Sequence, residues 1–475
     1  MRKTRLLYRR LIEGHLNDER VVLSNSNQSL TFQQIDKKTA QYCAFFQKMG
    51  IKKGDRIVVK DDYPLNTVLI LLACISEGYI FVPISSTVTK EMEQRIIKSC
   101  QPTIIVNSKE ELPDLEVIQR RRELCEKDTL VYIIYTSGTE GIPKGVVASQ
   151  KQILFCTDSI NKRLENGVQD RILCCLPLSF DYGLYQVFLA FFSGAKLYVE
   201  CGNILQRIPY FLSKWDITAF PTIPTVANLL VKTDMIKKEQ FPKLRYISFT
   251  GEILTPALIN EIEQIFSSAR VIPMYGLTEC KRVAIMPKGY SEKVRAGSCG
   301  IPLDGVDVFL ENTDPQTKIG ELVVEGNNVM EGYWGMEDED TGVFYENCQT
   351  KKRGIRTGDL FKIDEDGFLY FCGRKNGIIK VRGYRVEGNW IKNRLNAEKT
   401  VIEVEVVGQH DSVTGERVAI YVYSLQKNVE ETIRNVMREF PSYLQNYVLY
   451  VVDHPFPKNQ NGKIDIEKLI KIVEV

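Results

Sequence analysis

Histidine is scarce in this chain: only His15, His410 and His454 occur among 475 residues. They lie far apart and in no metal-ligand spacing, which argues against a zinc site and against a histidine-based triad. Long apolar runs are missing too. Val68 to Ile75, for example, is far shorter than the roughly 20 residues of a membrane span. The basic N-terminus (Arg2, Lys3, Arg5, Arg9, Arg10) lacks the apolar core of a signal peptide. A cytoplasmic protein without a membrane partner is therefore the expectation. Neither charge sign is in excess: 62 basic and 60 acidic residues leave a net charge of +2. That balance implies no nucleic acid or other polyanion partner. The twelve cysteines form no Cys-x-x-Cys pair, and several, such as Cys74, Cys174 and Cys175, sit in apolar strings. They read as buried free thiols in a reducing compartment.

The length calls for two or three domains. Up to about residue 290, strand-like runs (54–59, 171–177, 195–199, 244–250, 270–275) alternate with helical patterns such as 256–266, which predicts α/β layers. Leu30 to Asp36 reads as a helix start with a threonine N-cap. From about 296 to 372, short strands and glycine turns predict a small antiparallel β unit. The last hundred residues mix strands (401–407, 417–423) with a helix (429–440), enough for a small α+β domain. The expected division is a large N-terminal domain, 1–372, a polar hinge, 373–377, and a small mobile C-terminal domain, 378–475.

Chemistry concentrates in Tyr135-Thr-Ser-Gly-Thr-Glu-Gly-Ile-Pro-Lys-Gly-Val146. Hydroxyls and glycines after a strand present donors to phosphate, and Lys144 adds a point charge. The P-loop spacing is not met, because Lys144 lacks a preceding glycine and a following hydroxyl. On composition alone, a flexible loop between strand and helix is an equal reading. Met274-Tyr-Gly-Leu-Thr-Glu-Cys280 combines an aromatic, a hydroxyl and a carboxylate after another strand. Arg356-Thr-Gly-Asp-Leu360 offers an aspartate in a turn, and Pro457-Lys-Asn-Gln-Asn-Gly-Lys463 a lysine near the C-terminus. Taken singly, each is also ordinary loop chemistry or solvated charge.

Together, in this order, these motifs resemble those of the adenylate-forming superfamily of acyl-CoA synthetases, peptide-synthetase adenylation domains and luciferases. The resemblance spans nearly the whole chain. It implies ATP and Mg²⁺ as cofactors and a two-step reaction. A carboxylic acid attacks the ATP α-phosphate, and a thiol then displaces AMP. It assigns Thr136, Ser137, Gly138, Thr139 and Lys144 to the β- and γ-phosphates and Tyr275 to adenine. Thr278 falls to the α-phosphate, Glu279 to the metal, Asp359 and Phe371 to the ribose, and Arg374 to ATP. Lys463 bridges the acid and ATP, Asn376 is the hinge, and Lys380, Arg382, Gly383 and Tyr384 form the thioester-forming loop. Three positions depart from the pattern: Glu140 where Thr is usual, Asn376 where Asp or Lys is usual, and Gly388-Asn-Trp390 where more acidic residues are usual.

In amino-acid-activating relatives, the position of Asp181 holds the substrate's α-ammonium. A carboxylate facing an apolar pocket needs such a cation; capping the helix that follows is the other reading of Asp181. The rest of the pocket is expected at Tyr182, Tyr185, Ser248, Thr250, Met274, Arg282 and Val283. Two tyrosines suggest a compact substrate such as a small amino acid or proline, whereas Arg282 fits an acidic substrate group. No carrier segment follows Lys463, so the acceptor is expected in trans, either a phosphopantetheinyl carrier protein or CoA. The basic run 351–353 reads as a carrier contact or a solvated face. An acyl- or aryl-CoA ligase is the alternative within the enzyme class. A catalytically silent nucleotide-binding protein is the alternative outside it.

Overall fold

The structure is a computed structural model. It describes residues 6–86, 88–110, 127–137, 143–202, 204–232, 235–236, 241–252, 254–290, 296–338, 342–375, 378–381, 384–411, 415–440, 444–459 and 463–473. Local sequence accounts for many of its elements. Helix Phe32–Lys48 starts on Thr31, whose hydroxyl accepts from the Gln34 N–H while the Gln34 side chain accepts from the Thr31 N–H. Helices Pro64–Glu77 and Asp181–Ser193 are apolar around most of their circumference and are almost wholly buried, as that pattern requires.

Two sheets sandwich these helices. One has six strands, in the order Gly332–Tyr333, Pro143–Ser149, Leu130–Ser137, Ile80–Ser85, Arg56–Asp61, Ile104–Asn107. The other has nine, of which Arg270–Tyr275, Tyr246–Phe249, Ala219–Thr222, Arg171–Cys174, Lys196–Val199 and Val21–Ser24 run parallel side by side. Both contribute to one core with the two buried helices, which includes Val68, Leu72, Tyr132, Phe188 and Ile272. Parallel strands covered on their faces read as near-continuous apolar runs, which is why 54–59, 171–177, 195–199, 244–250 and 270–275 were legible, whereas Val21–Ser24, Ile80–Ser85, Ile104–Asn107 and Ala219–Thr222 were not called.

An antiparallel sheet follows, made from Val306–Glu311, Gly320–Gly326, Arg353–Ile363, Phe344–Glu346 and Leu369–Arg374. The C-terminal portion builds its own sheet around Gly415–Tyr423 and Glu403–Asp411, with helices Gly388–Asn396 and Val429–Met437, and has its own apolar core of Ile379, Val404, Ile420 and Ile433 among others. The expected α/β class, with a large N-terminal domain and a smaller C-terminal one, is what the chain adopts.

One local expectation changes. Strand Leu130–Ser137 is not followed directly by a helix. It pairs antiparallel with Pro143–Ser149, placing Thr136 opposite Lys144, and helix Gln150–Leu164 begins only afterwards. Lys144 looked like loop sequence because glycine and proline flank it, yet Gly145 lies within a strand. Its ordinary pleat leaves room for Ile133 and Tyr135, which would lie 2.7 and 2.9 Å from an added Cβ.

Candidate active site

The main cleft, of about 680 Å³, lies between the N-terminal layers and the C-terminal domain. Its lining draws on Thr250, Gly251 and Glu252 after one parallel strand, Met274 to Leu277 at the end of the next, Asp359, Phe371 and Arg374 from the antiparallel sheet, and Lys463. Ligand sites at the carboxyl ends of parallel strands are a general property of open α/β sheets.

Within the cleft the Tyr275 hydroxyl donates to Asp359 Oδ2 at 2.8 Å, and Arg374 Nε lies 3.0 Å from Asp359 Oδ1. Asp359 is buried, and that desolvation pushes its carboxyl above the ordinary value despite Arg374 beside it. Phe371 packs edge-on against Phe361, which packs in turn on Tyr275. Lys463 passes close to Gly251: a Cβ there would lie 3.4 Å from Lys463 Cε. Burial holds the Lys463 amine below the usual lysine value, while Glu252 and Asp359 pull it up and Arg374 down. Glu252 is fixed by the Thr225 N–H at 3.0 Å and the Thr225 hydroxyl at 2.7 Å.

A second group forms beside the cleft. Tyr333 donates to Glu279 Oε1 at 2.9 Å, and Lys144 Nζ lies 5.1 Å from the centre of the Tyr333 ring. Tyr333 thus ties the strand bearing Lys144 to the turn bearing Thr278 and Glu279. Nothing in its sequence context singled it out. Gly138, Thr139, Glu140, Asn376, Arg382 and Gly383 lie outside the described residues. Ser137, Lys380 and Tyr384 are described as backbone only: Ser137 pairs with Pro143, Lys380 with Arg385 and Val381 with Tyr384.

Of the residues expected around the acid, Thr250 and Met274 line the cleft, and Asp181, Tyr182, Tyr185, Ser248, Arg282 and Val283 are buried outside its lining. Tyr182 Oη lies 2.7 Å from the Ser248 hydroxyl and 3.0 Å from its carbonyl oxygen. Arg282 Nη1 donates to Thr250 Oγ1 at 2.7 Å, with the guanidinium 5.0 Å from the Tyr182 ring centre. Val283 is fully buried beside them. Asp181 is not free: the Lys281 ammonium pairs with it directly, 4.7 Å from the Tyr132 ring centre and 5.3 Å from that of Tyr185. Lys281 is 2% exposed and Asp181 7%. Asp181 is also the first residue of its helix and makes no side-chain cap there.

Lys281 escaped sequence reasoning, although a signal existed. It interrupts the run Cys280 to Met286, which is apolar apart from Lys281 and Arg282, and a cation in a buried run needs a carboxylate. Its placement depends on Gly276. A Cβ there would sit 1.7 Å from the Lys281 carbonyl oxygen, so only glycine lets the 276–281 turn close on itself. The basic run 351–353 is largely satisfied within the chain: Arg353 pairs with Asp338 at 2.7 Å, Lys352 with Asp307, and Lys351 with Glu346 at 3.7 Å.

Comparison with known proteins places this geometry in a family. Residues 12–334 match the AMP-binding enzyme family and residues 391–463 its C-terminal domain. The chain belongs to the AMP-binding enzyme family, whose members are adenylate-forming ligases that use ATP. It is 26% identical to tyrocidine synthase 1 of Brevibacillus parabrevis over 95% of its own length, but spans only 43% of that protein. ATP-bound MatB from Rhodopseudomonas palustris superimposes with a TM-score of 0.85 at 20% identity, covering 99% of both chains. The o-succinylbenzoate CoA synthetase MenE from Bacillus subtilis, in complex with its acyl-adenylate intermediate, gives 0.82 at 21% identity, covering 98% of both. Among the described residues no helix is long and apolar enough to cross a membrane.

Proposed function

We propose that this chain activates a carboxylic acid with ATP and passes the acyl group to a thiol carried in trans. In the first step a carboxylate oxygen forms a bond to the ATP α-phosphorus, and the α–β bridging bond breaks, releasing pyrophosphate. In the second a thiol sulfur bonds to the acyl carbon, AMP leaves with the bridging oxygen, and the thiol proton passes to solvent. A phosphopantetheinyl carrier protein is the first choice of acceptor, and CoA is the second.

The observation that carries this reading is the convergence of Asp359, Tyr275, Arg374 and Lys463 on one cleft. In this reading Asp359 accepts the ribose hydroxyls, Tyr275 and Phe371 flank the nucleoside, and Arg374 contacts the nucleotide. Thr136, Ser137, Thr139 and Lys144 are assigned to the departing pyrophosphate, and Thr278 to the α-phosphate. Lys463 offsets charge on the transferring phosphoryl oxygens. Glu279 suits Mg²⁺. Among the described residues no group of three or more His, Cys, Asp and Glu could cage a metal, and Mg²⁺ needs only one or two carboxylates when phosphates supply further oxygens. Such an ion neutralises polyphosphate charge. The enzyme then mainly positions reactants, with Lys463 serving the first step and residues 380–384 the second after rotation of the C-terminal domain about 373–377.

The small amino acid reading of the substrate rests on Asp181. The Lys281 ammonium on that carboxylate favours a second reading, an acid without an α-ammonium. ATP–pyrophosphate exchange tests the function: acid-dependent exchange with any carboxylic acid supports it. Absence of exchange across amino, aryl, fatty and dicarboxylic acids overturns it in favour of a silent nucleotide-binding protein.

A further inference from the structure

We propose that the acid pocket is built for a short dicarboxylic acid lacking an α-ammonium, with Lys281 occupying the ammonium position at Asp181 and Arg282 receiving the second carboxylate. This rests on the adenylation reading and narrows it to a substrate class.

The pocket's charges point this way. Asp181, Lys281 and Arg282 are 7%, 2% and 4% exposed. Asp181 and Lys281 pair directly, so they cancel. The chain's own ammonium already supplies what a buried carboxylate requires, and the faces of Tyr132 and Tyr185 stabilise it further. A substrate ammonium would have to expel a cation that is tethered to the site. Arg282 is left over. Among the described residues no carboxylate pairs with it. Its Nη1 donates only to the Thr250 hydroxyl, and its buried Nε has no hydrogen-bond partner. A buried guanidinium facing one neutral hydroxyl and one tyrosine ring is under-compensated. Its planar fork matches a carboxylate.

Position bears on the length of the acid. Thr250, which holds Arg282, is followed by Gly251, against which Lys463 packs. Adjacent Cα atoms are about 3.8 Å apart. The group that receives the second carboxylate and the lysine assigned to the activated one therefore flank neighbouring residues, which suits a short diacid.

Four acids of equal carbon count separate the two features. Succinate has the second carboxylate alone, 2-aminobutyrate the ammonium alone, aspartate both and butyrate neither. In pyrophosphate exchange, succinate or another diacid between malonate and adipate is expected to show the highest kcat/KM. Arg282→Met should raise the KM for that diacid roughly 10- to 100-fold and bring it level with butyrate. Lys281→Ala should free Asp181 and shift the preference from succinate toward aspartate. Preference of the wild-type enzyme for 2-aminobutyrate or another neutral amino acid would overturn the proposal while leaving the adenylation reading intact. An unchanged ranking in both folded variants would also overturn it. Exchange with none of these acids but with an aryl or fatty acid would again defeat this proposal alone. Exchange with no acid at all would defeat both.

Discussion

Lys463 and Asp359 share a feature: each carries its charge in a place that disfavours it. Burial lowers the lysine pKa and raises that of the aspartate. In the proposed adenylation step the protonated form of Lys463 is the useful one. The kcat/KM for adenylation should fall as pH rises through its depressed pKa, giving an alkaline limb below the ordinary lysine value. Lys463→Arg should move that limb to higher pH, because guanidinium stays protonated. Lys463→Ala should cost roughly 10²- to 10³-fold in adenylation, the scale of losing one preorganised donor. A full-rate alanine variant would remove Lys463 from the mechanism. For Asp359 the sign is opposite. An acid whose folded pKa is raised costs stability once pH exceeds its unfolded value, and the loss grows until the folded pKa is passed. Asp359→Asn should therefore gain thermal stability relative to wild type as pH rises from about 4, while losing nucleotide affinity. Melting curves with and without ATP across that range test both halves.

Among the elements, the turn between strands Arg270–Tyr275 and Ala284–Ile285 bears the most residues of the proposed site. It bears Thr278, Glu279, Lys281 and Arg282, and Gly276 lets it close. Gly276→Ala should break this closure and weaken acid binding and stability together, by about 1–3 kcal/mol as overpacking does; urea melts and exchange kinetics check it. Strand Arg270–Tyr275 was legible because it is an apolar run, buried almost throughout. The turn's motif was legible too, but its internal geometry was not. No sequence rule states that residue 281 folds back over residue 276, and so the pairing of Lys281 with Asp181, 100 positions apart, went unseen. Tyr333 was hidden for the same reason: its side chain reaches Glu279 across 54 residues, from a strand that pairs with Pro143–Ser149. Thr31 shows the contrast. Its capping box is local, so the sequence specified it fully, and Thr31→Ala should cost about 1 kcal/mol.

Across the whole molecule, the two domains meet through a few polar contacts besides the cleft. Asn228 donates to the Ile402 carbonyl. Lys232 Nζ reaches the carbonyls of Asn396 and Glu398 at 3.3 Å each, and that of Val401. Lys232 thus satisfies carbonyls at the C-terminal end of helix Gly388–Asn396, where a cation is favoured. If adenylation uses this arrangement, Lys232→Met should slow acyl-adenylate formation and leave thioester formation from supplied acyl-adenylate less affected. Rapid-quench measurement of each step separates the two. The order of the motifs along the chain made the family and the architecture legible. The proposed substrate class was not legible, because its argument rests on Lys281 and Asp181, which meet only after folding.

The central claim is that a carboxylate oxygen is transferred to the ATP α-phosphate. The most direct test uses an acid substrate whose carboxylate carries heavy oxygen, followed by mass spectrometry of the released AMP. One labelled oxygen in AMP, with pyrophosphate as co-product, is the predicted result. Unlabelled AMP, or ADP and inorganic phosphate in place of AMP and pyrophosphate, would contradict it.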